Sequence, residues 1–374
     1  MAPTENRLPV LSLFSGSGGL DLGFERAGFE PLLALDIDEA AVKTFNFNRL
    51  GSPARKANLE TMRPSRIRQW WQKATGEGVG PVGIIGGPPC KAFSVSNVHK
   101  LKDDPRANLP LAYARILKAF NRRFDLEFFV FENVAGLGHR PHNSSLQTFI
   151  EKFEEAGFSV KPFYLDAVNF GVPQFRNRMF IVGFNDKRYN ADQFAPPRNK
   201  SRHREVKEVI FGLKPPTFFR HGLDPDEISH HPNHWCMNPR SKKFENGALR
   251  SGEMLGRSFR RLNWGDPSWT VAYGHREVHV HPDGHRRLSV FEAMRLQGFP
   301  RRGYELRGNL SDQIRLVSDA VPPPLAMALA RRIQEFIRQR HPEVFENSHV
   351  EDSGHASQAG RAGLQTAAPR STSA

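Results

Sequence analysis

The chain has 374 residues, 39% of them hydrophobic, which is room for one large α/β domain and a second, smaller region. No apolar run approaches the ~20 residues of a membrane span. Two cysteines, Cys90 and Cys236, exclude a disulfide framework and fit a reducing, cytoplasmic setting, while the net charge of +14 points to a polyanion, most simply nucleic acid.

Met1 to Glu5 lacks the basic-then-apolar character of a secretion signal. Val10-Leu11-Ser12-Leu13-Phe14 reads as the first strand, and Ser15-Gly16-Ser17-Gly18-Gly19 as a turn into a helix patterned by Leu20, Leu22, Phe24 and Ala27 and closed by Gly28. Such a turn lets a cofactor approach the backbone and aims a helix N-terminus at it. Its spacing matches neither Gly-x-Gly-x-x-Gly nor a P-loop. Phe29 to Leu35 is the second strand, ending in Asp36-Ile37-Asp38. An acid there can accept both ribose hydroxyls of a nucleoside, the role given to Asp36, whereas Asp38 reads as the N-cap of a helix over Glu39 to Arg49. Arg63 to Lys73 is a further helix, with Trp70 and Trp71 packing.

Pro81 to Ile85 is a buried strand, and Gly86-Gly87-Pro88-Pro89-Cys90 follows it. The glycines permit a sharp turn and the prolines fix φ, so one thiol is held stiffly at a strand end, the edge where open α/β sheets bind ligands. A lone Cys after such a turn is more often a packing residue. Ser94 to Asn108 is polar and long for a connection, and reads as a mobile functional loop. Leu109 to Arg123 is helical, and the strand Leu126 to Phe131 ends in Glu132-Asn133-Val134. A carboxylate at one strand end and a thiol at another make Glu132 a general-acid candidate. Ser144-x-x-Gln147 reads as a capping box for a helix ending at Gly157, and Ser159 to Asp166 as a strand. Gln174-x-Arg176-x-Arg178 leads into the strand Met179 to Phe184; its two guanidiniums point the same way, as an anion or carbonyl clamp or as a surface ladder.

From about Asp186 the periodicity breaks, and short β-like pieces such as Trp269 to Tyr273 indicate an irregular, partly β region. Residues 196–310 hold 21 Lys and Arg against 12 Asp and Glu, nine of the fourteen net charges, with nine of the fifteen histidines. That bias reads as an electrostatic footprint. His230, His231, His234 and Cys236 match no common zinc spacing, so no metal is expected and these side chains are read as DNA-facing. Ser289 to Gln297 is helical, stopped by Gly298-Phe299-Pro300. Val321-Pro322-Pro323-Pro324 opens a last helix whose stripe Leu325, Leu329, Ile333, Ile337 should dock on the large domain. Residues 1–7 and 347–374 are expected to be disordered.

Six blocks in this order resemble the DNA cytosine-5 methyltransferase family: Phe14-Ser15-Gly16-Ser17-Gly18-Gly19; Gly87-Pro88-Pro89-Cys90 with Phe93-Ser94; Glu132-Asn133-Val134; Gln174-x-Arg176-x-Arg178; Arg295 to Pro300; and Ala320-Val321-Pro322-Pro323. The resemblance spans Val10 to about Arg340. It implies a doubly wound, Rossmann-like α/β domain over 8–185 plus 308–343, with a smaller, irregular, partly β target-recognition domain and hinge over 186–307. It implies methyl transfer from S-adenosylmethionine to C5 of a flipped cytosine in duplex DNA, through an adduct of Cys90 to C6 supported by Glu132 at N3, Arg178 at O2 and Arg176 behind them. Phe14, Ser15, Gly16, Gly18, Gly19, Asp36, Ile37, Asn58, Leu59, Pro88, Asp319 and Val321 would hold the cofactor, and Lys91, Ser94, Ser96 and Arg106 would contact DNA. The implied protein is a cytoplasmic monomer of the restriction–modification type, with a cognate endonuclease as a companion whose presence the sequence leaves open.

The chain departs from the family at four places. Lys91 stands where Gln is usual, Asn58 where an Asp often meets the adenine amino group, Ser318-Asp319 where Gly-Asn is usual, and Ile37 where an aromatic often packs on adenine. None removes a catalytic group. A tRNA cytosine methyltransferase is the nearest alternative, but its Cys-Phe-Thr stretch is absent; an inactive DNA-binding relative is the other, and the retained Cys90, Glu132 and arginines argue against it.

Overall fold

The computed structural model describes residues 7–89, 108–138, 143–199, 202–228, 230–255, 259–270 and 279–346. The first half alternates strand and helix: β1 (Leu8–Leu13), α1 (Gly19–Glu25), β2 (Phe29–Asp36), α2 (Glu39–Phe47), β3 (Ala54–Lys56), α3 (Pro64–Thr75), β4 (Gly83–Gly86), α4 (Leu109–Phe124), β5 (Phe128–Val134), α5 (Asn143–Glu154), β6 (Phe158–Asp166) and β7 (Asn177–Asn185). Together the seven strands form one sheet of order β3-β2-β1-β4-β5-β7-β6, parallel except that β7 runs against both neighbours. The order reverses between β1 and β4, the place where open sheets bind ligands beyond their carboxyl ends. The expected doubly wound α/β class is what forms.

Both faces of this sheet are covered, so its strands alternate between two cores rather than between core and water. Leu8 and Val10 of β1 join Phe128 and Val130 of β5 on one face; Leu11 and Leu13 join Phe129 and Phe131 on the other. The second face is roofed by α3, α4 and α5 through Ile67, Trp71, Tyr113, Phe120 and Phe153. Trp71 is buried and its indole N–H donates to Val79 O at 2.8 Å. Helix α5 begins at Asn143, so Ser144 is already helical and no capping box forms; Gln147 donates to Glu151 one turn on.

After β7 come α6 (Lys207–Ile210), the two-residue strands β8 (Thr217–Phe218) and β9 (Trp235–Cys236), then β10 (Met254–Leu255), β11 (Phe259–Arg261) and β12 (His279–Val280). Among the described residues they form a two-stranded and a three-stranded sheet, the irregular pattern the sequence indicates. Trp269 and Thr270 carry no strand, and 271–273 lie outside the described residues. Helices α7 (Val290–Leu296) and α8 (Leu310–Asp319) pack on this part through Met294, Phe299, Ile314 and Trp235. Each has a capping box, Ser289 with Glu292 and Asn309 with Asp312.

Among the described residues the last long helix, α9 (Pro323–Arg338), returns to the first face of the large sheet and is followed by the short α10 (Glu343–Glu346). Leu325, Leu329, Ile333 and Ile337 are all fully buried there. Its partner is α1, and the approach is close: a Cβ on Gly23 would lie 2.4 Å from Ala326 Cβ and 2.6 Å from Met327 N. Alanine is the better helix former by ~1 kcal/mol, yet a backbone atom at that distance cannot move alone. Gly23→Ala is therefore expected to destabilise by about 1–3 kcal/mol as an overpacking change, seen as a fall of a few degrees in Tm by calorimetry.

Candidate active site at the carboxyl edge of the sheet

Strands β4 and β5 are parallel neighbours with Gly86 opposite Phe131, so the next residues out, Gly87 and Glu132, meet at the sheet edge. A Cβ on Gly87 would sit 2.7 Å from Glu132 Oε2, so any side chain there forces the carboxyl group to shift. The next residue of β5 fastens the loop further: Asn133 Nδ2 donates to the carbonyl of the buried Pro88 at 3.3 Å. Cys90, Lys91, Ser94, Ser96 and Arg106 lie outside the described residues.

Glu132 continues the face of Phe128 and Val130 and is 8% exposed. Because β7 is antiparallel to β5, its first residues lie at the edge where β5 ends, with Arg178 opposite Val134. Arg178 Nε then reaches Glu132 Oε1 at 3.1 Å. Burial pushes the Glu132 carboxyl above its usual range; Arg178 and, less strongly, Arg176 pull it back, and Asp319 pushes it up. Arg176 is 1% exposed, its backbone N–H donates to Asp166 Oδ1 at 2.8 Å, and its guanidinium donates to Ser318 O at 2.5 Å. Arg178 thus contacts Glu132 directly, while Arg176 is buried and held by Ser318 O, so neither guanidinium stands in an exposed surface ladder.

Beside this lies the glycine turn. Phe14 leaves β1 with φ +53°, a left-handed conformation rare for a bulky residue. Gly16 N donates to Asp36 Oδ2 at 2.8 Å, and Asp38 N to Asp36 Oδ1 at 2.8 Å. Each Asp36 oxygen therefore keeps acceptor capacity, and burial raises its carboxyl above the usual range. Asp38 caps α2 as read, accepting from Ala40 N and Ala41 N. Ser15 and Val321 are buried, Val321 O closing over Gly19; Leu59 is a core side chain. Ile37 is 60% exposed, Asp319 and Asn58 are exposed, and Asn58 Oδ1 accepts Glu60 N in a local turn.

The histidine group is a correction. His231, His234 and Cys236 are buried, not DNA-facing. His231 stacks on Phe291 at 4.1 Å, and His234 bridges Ser289 Oγ at 2.9 Å and Lys214 O at 2.6 Å. Apolar packing keeps His231 neutral, its pKa pushed down to about 4. No metal-holding cluster occurs among the described residues.

The C-5 cytosine-specific DNA methylase model matches residues 8–335. The chain belongs to that family. As a DNA cytosine-5 methyltransferase it is similar to type II methyltransferases along its length. It is 30% identical to M.FnuDI of Fusobacterium nucleatum, over 89% of this chain and 96% of that protein. It is 32% identical to M.MthTI of Methanothermobacter thermautotrophicus, over 88% and 97%. Among solved structures, an E. coli prophage DNA modification methyltransferase shares the methylase fold with a TM-score of 0.71 at 23% identity, over 88% of this chain and 99% of that one.

The sequence reading missed three parts of this edge. Asn133 holds Pro88, Gly87 makes room for a carboxylate, and Tyr304 donates its hydroxyl to Ser17 O from 287 residues away. Only the first two had a local signal, in the glycine before Pro88 and the Asn after Glu132. Two outcomes follow. Gly87→Ala should push the Glu132 carboxyl aside, cutting kcat at least tenfold while Tm changes little. The buried neutral His231 binds no proton until about pH 4, whereas unfolded His does so near 6.5. Stability is therefore full above about pH 6.5 and falls as pH drops below it, so Tm at pH 5.5 should lie several degrees under that at pH 7.5, and by less in His231→Gln.

Proposed function

We propose that this methylase is a type II modification enzyme that transfers a methyl group from S-adenosylmethionine to C5 of one cytosine within a specific duplex sequence. One juxtaposition carries the reading: the buried Glu132 carboxyl, Arg178 at 3.1 Å and Gly87 all meet where the loop to Cys90 begins. The target cytosine rotates out of the stack to this edge. Cys90, as thiolate, bonds to C6, and the C5–C6 π electrons shift into the ring. Glu132 delivers a proton to N3, without which the ring would carry the charge, and burial favours the protonated form of that carboxyl. Arg178 takes O2, and Arg176 braces the link between α8 and α9. C5 is then nucleophilic and would accept the methyl group of the bound cofactor; once a base takes the C5 proton, the C5–C6 double bond re-forms, Cys90 leaves as thiolate, and the N3 proton returns to the Glu132 carboxylate.

The residues present suit the cofactor. Asp36 has free acceptor lone pairs for ribose hydroxyls, Gly16 has open space over its Cα, and Ile37 offers an exposed apolar side chain for a base. Phe14, Ser15, Gly18, Gly19, Asn58, Leu59, Pro88, Asp319 and Val321 complete the cradle. When bound, S-adenosylmethionine would supply an electrophilic methyl carbon. Residues 186–307 are assigned to DNA recognition and 8–185 with 308–343 to chemistry, in a monomer acting beside an endonuclease of the same specificity.

The test uses DNA containing 5-fluorocytosine, whose C5 substituent cannot leave as a proton. Wild type should be trapped as a denaturant-resistant adduct mapped by mass spectrometry to Cys90. An adduct at Cys236, or full turnover in Cys90→Ser, would refute the assignment. The pH profile gives a second check. Activity should fall as pH rises through the Glu132 pKa, since the acid must be protonated. Arg178→Gln removes the charge that holds this pKa down, so its lower activity should persist to higher pH than in wild type.

A further inference from the structure

A second cluster of charge, made of residues other than the strand-edge groups, lies around the start and end of α7. His230, Phe291, Arg301 and Arg302 line a cavity of about 120 Å³, ample for several waters or one tetrahedral anion. Arg301 and Arg302 are exposed, and among the described residues neither has an ion-pair or hydrogen-bond partner. Nε2 of His230 is buried and also lacks a hydrogen-bond partner there, an arrangement that costs free energy unless something fills it. Positive charge is crowded at this place. The Arg295 guanidinium is destabilised by burial and by Arg204 and Arg301; His230 is held neutral by burial and by Arg301 and Lys214. Phe291, fixed on its other side by His231 at 4.1 Å, forms an apolar wall.

We propose that this cavity is a phosphate-binding pocket, with Arg301 and Arg302 as the forks that grip the oxyanion and His230 as a further hydrogen-bonding group. Unpaired guanidiniums crowded by like charges are satisfied by an anion, and guanidinium geometry suits phosphate oxygens. The phosphate comes from a DNA backbone or from a free anion; the former rests on the DNA methylase reading, the latter does not.

The experiment compares wild type with the double variant Arg301→Ala/Arg302→Ala, whose side chains are exposed, and with His230→Gln. Binding to a non-specific 40-bp duplex is followed by anisotropy between 50 and 200 mM salt, and binding of inorganic phosphate and pyrophosphate by calorimetry. A backbone phosphate in the pocket predicts a plot of log K against log salt that is shallower by about one in the double variant, together with loss of pyrophosphate binding. Unchanged methyl transfer at saturating DNA would show that the strand-edge site is intact. Loss of phosphate and pyrophosphate binding with an unchanged salt slope assigns the pocket to a free anion. Wild-type behaviour of the double variant in both assays overturns the pocket. His230→Gln should weaken phosphate binding less than the double variant; an equal or greater loss would shift the grip from the arginines to His230 and refute this division of roles.

Discussion

Everything at the ligand edge depends on one tight contact, the carboxyl group of Glu132 against the bare Cα of Gly87. It arises from register, because parallel pairing of β4 with β5 puts Gly86 beside Phe131 and leaves the next residues to meet beyond the sheet. A side chain on Gly87 would occupy the place of the carboxylate. With that space free, Glu132 stays buried enough to favour its protonated form and close enough to Arg178 to be oriented. Burial and ion pairing oppose each other at this carboxyl, and the balance sets how much acid is available.

The same edge is assembled from distant parts of the chain. Arg176 reaches Ser318 across 142 positions, Tyr304 reaches Ser17 across 287, and Val321 O sits over Gly19. Between these anchors run the short strands and buried histidines of the basic region. Arg49 extends the tie: it pairs with Glu25 at 2.5 Å and stacks 3.7 Å over Phe45, next to Tyr304, so α2 and the glycine turn share one charged anchor.

Much of this was legible in the sequence, and the reasons differ by place. The central strands could be read because both of their faces are buried and they are apolar runs, whereas the three-residue edge strand β3, Ala54–Lys56, gave no such signal. The Asp38 cap and the stripe of α9 follow from local chemistry with few alternatives. The histidines were misread because periodicity disappears in the basic region, and a polar side chain there gives no sign of facing Phe291 rather than solvent. The Ser144 cap failed by one residue of helix, since the motif fits the pattern but the helix starts before it. The pairing of Glu132 with Arg178 needed the antiparallel placement of β7, which no spacing in the chain specifies.

The return of α9 to α1 has a consequence for synthesis. Helix α1 ends at Glu25 and the helix that covers its face begins at Pro323. At about 5–20 residues per second on the ribosome, the apolar surface of Leu20, Phe24 and β1 waits roughly 15–60 s for its cover. The nascent chain thus carries an uncovered apolar face for most of its translation, and the ligand edge is completed only after Pro323 has been made.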